Sequence, residues 1–390
     1  MAKKVVLAYS GGLDTSVAIK WLMDKGYEVI CYMGDVGQGG DVESAQKRAF
    51  KIGATKCLVG DLKKELVTDY IFPTLKAGAL YQGKYNLATA LSRPLIAEAM
   101  VKVAKKEKAD CMAHGCTGKG NDQVRFEVTF HVKAPGLKVF APVREWELKT
   151  REQEIDYAKK HKIPIEQTKK KIYSIDNNLW GISVEGGDLE DPNVAPKDDT
   201  YISVSTPEKA PNKSEYVTLK FSKGIPVAIN DNKYAPVELI KKLNKIGGKH
   251  GVGRVDMVED RLVGIKSREI YEAPASEMLY AAHTALEELV LDRETRRYKK
   301  GVSDRYSELV YYGLWFTPLK KALDAFVDIT QEKVSGEVKL KLYKGKVTVC
   351  GRNSKYSRYK EELATYGEGD VFDQSLAKGF IDLWAMPYRT

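Results

Sequence analysis

Residues 8–16, AYSGGLDTS, concentrate groups suited to holding an anion. Ser10, Gly11 and Gly12 let the backbone bend sharply and approach a ligand closely. Ser10, Thr15 and Ser16 add hydroxyls where a strand gives way to a helix. The free amides and partial positive charge of a helix N-terminus favour phosphate. Glycine pairs also occur in ordinary capped turns. Ser-Gly-Gly followed by Asp14 and two more hydroxyls favours the phosphate reading. The loop lacks the spacer and the Gly-Lys-Ser/Thr ending of a Walker loop, and it departs from GxGxxG. Without a lysine it suits pyrophosphate as a leaving group rather than transfer of a terminal phosphoryl.

A second constellation is HGCTGKGNDQVRFE, residues 114–127. Gly115, Gly118 and Gly120 open the backbone to an anion, and Lys119 can offset its charge. Thr117, Asn121, Asp122 and Arg125 suit an amino-acid substrate. The bland alternative is a flexible glycine-rich surface loop. GCTGKG imitates a Walker loop, but Gly120 stands where Ser or Thr is required.

The first loop resembles the PP-loop family, whose pattern is Ser-Gly-Gly-x-Asp-Ser. Thr15, between Asp14 and Ser16, is the variant of the argininosuccinate synthetases. YNLATALSRPLIA (85–97), YSIDNNLWGIS (173–183), GRVDMVEDRLVGIKSREIYEAPA (253–275) and LVYYGLWFTPL (309–319) also resemble that family. The likeness therefore spans the whole chain. It implies that citrulline's ureido oxygen attacks the α-phosphorus of Mg2+-ATP, and that aspartate's amine then displaces AMP from citrullyl-AMP. It implies ATP contacts at Ala8, Tyr9, Ser10, Gly11, Gly12, Leu13, Asp14, Thr15, Ser16, Gly34 and Gly115. It implies aspartate contacts at Thr117, Asn121 and Asp122, and citrulline contacts at Tyr85, Asn121, Arg125, Ser174, Ser183, Glu259 and Tyr271. Ser10, Asp14 and Asp122 are the expected catalytic positions, Asp122 through an influence on the aspartate amine. Some family members carry Ser where this chain has Ala90, and Thr89 is the candidate substitute. Taken singly, Glu259 and Tyr271 would read as a surface ion-pair partner and a packed aromatic. Arg125 can pair a carboxylate in two-point fashion and Glu259 can accept from an α-ammonium.

These residues need a parallel sheet to bring them together. Residues 3–10, 27–35, a run ending at Asp61, 109–115 and 138–143 read as strands separated by helical patterns, which implies right-handed crossovers in an α/β fold. Asp41 and Gly53 bracket one helix, residues 88–108 form a long one, and Thr150 caps another. From about 171 to 213 the chain is rich in Gly, Pro, Asn and Asp, so helix is not expected there. Hairpins turn at 222–224 and 344–345, with one long amphipathic helix over 276–300 between them. The last helix carries Leu376, Phe380, Ile381, Trp384 and Met386, a face that must bury against its own subunit or a neighbour. The expected division is a nucleotide-binding domain of PP-loop type over 1–168, an α+β synthetase and multimerisation domain over 169–362, and an oligomerisation helix over 363–390. The resemblance implies a homotetramer.

The 390 residues are 43% hydrophobic and 30% charged, the composition of a soluble globular protein. The chain has no apolar run long enough for a membrane span and no secretory signal, so a cytoplasmic enzyme is expected. Five cysteines without a CxxC pair fit free thiols in a reducing compartment. No spacing suggests a protein-held metal. The net charge of +10 raises nucleic acid as a partner, but runs such as 105–106, 169–171 and 299–300 read as solvated surface. An RNA-modifying PP-loop enzyme, a tRNA thiolase or lysidine synthetase, is the alternative. It lacks support from a sulfur-transfer cysteine pair, and no nucleic-acid partner is expected.

Overall fold

A computed structural model describes residues 2–164 and 173–389. Five parallel strands, β1 (Lys3–Ala8), β2 (Tyr27–Asp35), β3 (Lys56–Asp61), β4 (Cys111–Ala113) and β5 (Lys138–Phe140), form one sheet in the order β3-β2-β1-β4-β5. The first strand stops at Ala8, so Tyr9 and Ser10 already belong to the turn. Burial on both faces explains the continuous apolar runs. On one face Val5, Leu7, Val29 and Cys31 pack against Val17, Leu22 and Ala49. On the other, Val6, Ile30 and Met112 pack against Met100, Val101 and Phe130. The chain winds outward in both directions from β1, so the loops after β1 and β4 meet where the strand order reverses. Ligands bind at that crevice in open α/β sheets.

The expected caps hold. The Asp41 side chain accepts from Ser44 N at the start of the helix Val42–Ile52, and left-handed Gly53 ends it. The Thr150 hydroxyl accepts from Gln153 N at the start of the helix Arg151–Lys160.

The rest of the described chain adds two antiparallel sheets. One joins β6 (Ser174–Asn178), β7 (Gly181–Glu185), β11 (Arg254–Asp260) and β12 (Lys266–Glu272) in the order β11-β12-β7-β6. The other joins β8 (Glu215–Ser222), β9 (Ile225–Ile229), β10 (Asn232–Lys233), β13 (Gly336–Tyr343) and β14 (Lys346–Asn353) in the order β10-β9-β8-β13-β14. Its two-residue hairpins turn at Lys223-Gly224 and Lys344-Gly345, all four at positive φ, which matches the twist of the flanking strands.

Two expectations need correction, and one open alternative narrows. The helix expected over 276–300 is two helices, Pro274–Val290 and Arg293–Tyr311. Leu291 is extended, and Asp292 caps the second helix by accepting from Thr295 N. A carboxylate that satisfies first-turn amides starts a helix more effectively than it continues one. Lys299 is not solvated: it is buried, with its ammonium 3.0 Å from Glu287. The terminal helix Leu376–Ala385 does not pack on its own subunit; Phe380 is 63%, Leu383 68% and Trp384 67% exposed. The run 169–171 and the expected boundary at 168 lie outside the described residues. Packing crosses between the two halves, because Leu66, Tyr85 and Leu91 share one core with Trp180, Leu279 and Tyr306.

Candidate active site

The helix Leu13–Asp24 begins at Gly12 with no side-chain cap, so its first-turn amides remain available at the carboxyl edge of the sheet. Gly11 sits at φ +80°, and a Cβ there would fall 2.9 Å from that of Ala45. The turn is tied internally. Ser10 Oγ lies 3.1 Å from Thr15 Oγ1, and Tyr9 OH 3.3 Å from Ser16 Oγ. Arg48 donates to the Gly11 carbonyl. Ser10 is exposed, while Thr15 and Ser16 are buried. Asp14 faces Glu154, whose carboxyl is pushed up to about 8 by burial and by Asp14.

The second loop touches the first. A Cβ on Gly115 would lie 2.7 Å from Thr15 Cγ2, so only glycine allows this approach. Buried His114 anchors the loop: Nδ1 accepts from Cys116 N, which leaves Nε2 protonated to donate to Glu127. Gly34 lies at the end of β2, and a Cβ there would meet Ile96 Cγ1 at 2.8 Å. Thr117 is exposed at the loop's tip.

Asn121, Asp122 and Arg125 open the helix Asp122–Lys133, and their side chains are already committed. Asp122 accepts from Arg93 Nε and Arg125 Nη1, both at 2.8 Å. Burial opposes its charge, but the two guanidiniums outweigh burial and hold its pKa low. It is poorly suited to take a proton. Arg93 also pairs with Asp176 on β6. The Arg125 side chain is buried beside Tyr85, Tyr311 and Asp122.

The remaining residues come from the β11-β12-β7-β6 sheet. Tyr271 on β12 pairs in register with Ser183 on β7, which in turn pairs with Asp176. Tyr85 stacks on Tyr271 with ring centroids 4.3 Å apart, and its hydroxyl accepts from Thr89 N. Ala90 is wholly buried in the shared core, so its side chain offers nothing to a ligand. Glu259 is not a surface residue: it is 2% exposed and accepts from Tyr271 and Tyr311. Burial and the nearby Glu269 carboxylate push it up to about 7. Tyr271 OH lies 2.6 Å from Glu259 and 2.9 Å from Glu269, but its single proton cannot serve both acceptors. Ser174 is exposed at the start of β6, in a cleft of about 460 Å³ that it lines with Glu185, Arg261 and Ser267.

Sequence reasoning passed over Arg93, Glu154, Asp176, Glu269 and Tyr311. Arg93, Asp176, Glu269 and Tyr311 all lie in segments singled out by resemblance. No local signal separates Arg93 and Tyr311 from their neighbours, because the carboxylates paired with Arg93 are 29 and 83 residues away and the hydrogen-bond partners of Tyr311 are 52 to 190 away.

A doubly wound sheet with a hydroxyl-rich turn and a glycine-rich loop at its switch point defines a nucleotide-binding α/β protein of the HUP class. The chain belongs to the argininosuccinate synthase family. That family's N-terminal HUP domain matches residues 4–164 and its C-terminal domain residues 173–390. The chain is 55% identical over 390 residues to the argininosuccinate synthase of Carboxydothermus hydrogenoformans, covering 100% of this chain and 97% of that one. It is 57% identical over 388 residues to the enzyme of Thermoanaerobacter sp. (strain X514), covering 99% and 95%. To that of Acetivibrio thermocellus it is 56% identical over 389 residues, covering 99% and 96%.

Proposed function

We propose that this chain joins citrulline and aspartate through citrullyl-AMP, giving argininosuccinate, AMP and pyrophosphate. The observation that supports the reading most is the close approach of Gly115 to Thr15, which brings the turn at 8–16 against the loop that leads into Asn121 and Arg125. In this reading residues 8–16, Gly34 and Gly115 bind ATP, with the uncapped helix amides and Ser10 on its phosphates. The nucleotide enters as its Mg2+ complex, held largely through phosphate and water, with Asp14 the loop's carboxylate for that charge. Thr117, Asn121 and Asp122 receive aspartate. Tyr85, Asn121, Arg125, Ser174, Ser183, Glu259 and Tyr271 receive citrulline.

Adenylation makes the ureido carbon electrophilic, so the protein's work is to align reactants and stabilise phosphate charge. Asp122 serves by fixing Arg93 and Arg125 rather than as a base. The nucleotide-binding domain spans 1–168, the synthetase and multimerisation domain 169–362 and the oligomerisation helix 363–390, and the amino-acid substrates draw contacts from the first two. The enzyme works in the cytoplasm as a homotetramer, with the open face at Phe380 and Trp384 covered by another subunit.

Citrulline carrying heavy oxygen in its ureido group tests the chemistry. The label bridges carbon and phosphorus in the intermediate and stays on phosphorus when the carbon–oxygen bond breaks. AMP should therefore acquire it. Argininosuccinate formed beside unlabelled AMP would refute the adenylate route.

A further inference from the structure

Tyr311, the last residue of the helix Arg293–Tyr311, is wholly buried and contacts three of the residues assigned above to the amino-acid substrates. Its hydroxyl accepts from Asn121 Nδ2 at 2.8 Å and donates to Glu259. That direction is forced. Asn121 Oδ1 already accepts from Leu262 N at 2.9 Å, so the NH2 group faces the phenol and can only donate. The phenol's one proton is then free for the carboxylate. The Tyr311 carbonyl, left without an intrahelical donor at the helix end, accepts from Arg125 Nε at 3.0 Å. The ring stacks on Tyr81 with centroids 3.6 Å apart, and the Arg125 guanidinium lies 4.9 Å from its centre.

We propose that Tyr311 is a positioning residue for both amino-acid substrates, holding Asn121, Arg125 and Glu259 in one arrangement through its hydroxyl, carbonyl and ring. The inference rests on the function proposed above. It goes beyond that reading by making the end of a distant helix part of substrate selection. Because Asn121 is assigned to both substrates, loss of the Tyr311 hydroxyl affects both. The titratable groups around Glu259 are Tyr271 and Glu269 from β12, Tyr311 from its helix, Arg125 from the helix Asp122–Lys133, and, without a hydrogen bond to it, Tyr81 and Tyr85. Among these, the hydrogen bonds from Tyr271 and Tyr311 and the charge of Arg125 favour the ionised carboxylate. Its removal moves the titration of Glu259 upward.

The test is Tyr311→Phe, which keeps the ring stack and the carbonyl, compared with Tyr81→Phe. The Tyr81 hydroxyl donates to the Asp260 carbonyl and touches none of the three residues. The expected result for Tyr311→Phe is a rise of about tenfold or more in KM for citrulline and for aspartate, the loss of one hydrogen bond to a charged group. KM for ATP should change less than twofold. The acidic limb of kcat/KM for citrulline should shift to higher pH. Tyr81→Phe should leave the amino-acid KM values and the pH limb in place. Unchanged KM values with an unmoved limb in Tyr311→Phe would overturn the proposal, as would an equal rise in KM for ATP. Wild-type protein that forms no argininosuccinate would instead overturn the function on which the proposal rests.

Discussion

Glu259 is held by two phenols in a buried site that also raises its pKa to about 7. An α-ammonium brought against it would favour its ionised form, so citrulline binding should strengthen as pH rises toward and through 7. Folding stability moves the other way. Between the usual carboxylate range near 4.5 and about 7, the folded chain retains a proton that the unfolded chain releases, so this group lowers stability as pH rises. Glu259→Gln should therefore be more stable than wild type at pH 8, by a gain that fades below pH 5. At ~1.4 kcal/mol per pKa unit the gain is on the order of 3 kcal/mol. Citrulline affinity should meanwhile collapse. Thermal melts across pH, paired with citrulline titrations, measure both effects, and a pH-independent melting difference would remove the buried-carboxyl account. The residue types at this site were legible once the resemblance was seen. Their states of charge were not, because pKa depends on neighbours that the chain order does not reveal.

Two loops, one after β1 and one after β4, meet at the switch point, where a Cβ on Gly115 would lie 2.7 Å from Thr15 Cγ2. Gly115→Ala should push the loops apart and lower kcat/KM for ATP by about tenfold, in line with the cost of misplacing reacting groups. Thr15→Ser removes the obstructing methyl and keeps the hydroxyl. Combined with Gly115→Ala it should restore a large part of the lost activity. A double variant no better than the single one would show that the fit between loops is not the cause. Strands and caps of the parallel sheet could be read locally, since each depends on a run of a few residues such as 27–35 or on one side chain such as Asp41. The β11–β12 hairpin and the break at Leu291–Asp292 were harder to read. Their apolar spacing resembles neighbouring segments, and Asp292 acts through a cap rather than through periodicity.

The final helix leaves an open apolar face, where Phe380 and Trp384 stack with centroids 5.8 Å apart. A face of this kind needs cover in solution, and the homotetramer proposed above supplies it from a neighbouring subunit. Removing residues 373–390 should shift the assembly to smaller species while leaving the parallel sheet folded, because no core cluster draws on those residues. Light scattering that finds the same mass with and without the segment would exclude this role.

The sequence by itself determined the strand, glycine turn and helix around residues 8–16, the parallel sheet and the family. These rest on short-range patterns: a strand's apolar run, a turn's glycines, a helix's cap and motifs spread along the chain. Tertiary structure alone decided how Asn121, Glu259 and Arg125 are held. Tyr311 is 190 residues from the first, 52 from the second and 186 from the third, and is brought to them by a shared core that ignores the expected domain boundary. Tertiary structure also buried Lys299 beside Glu287 and left the terminal helix bare. Local pattern specifies which elements form, because hydrogen bonding and backbone geometry act over a few residues. Burial, charge state and exposure depend on which elements pack together, and that is settled only when the whole chain folds.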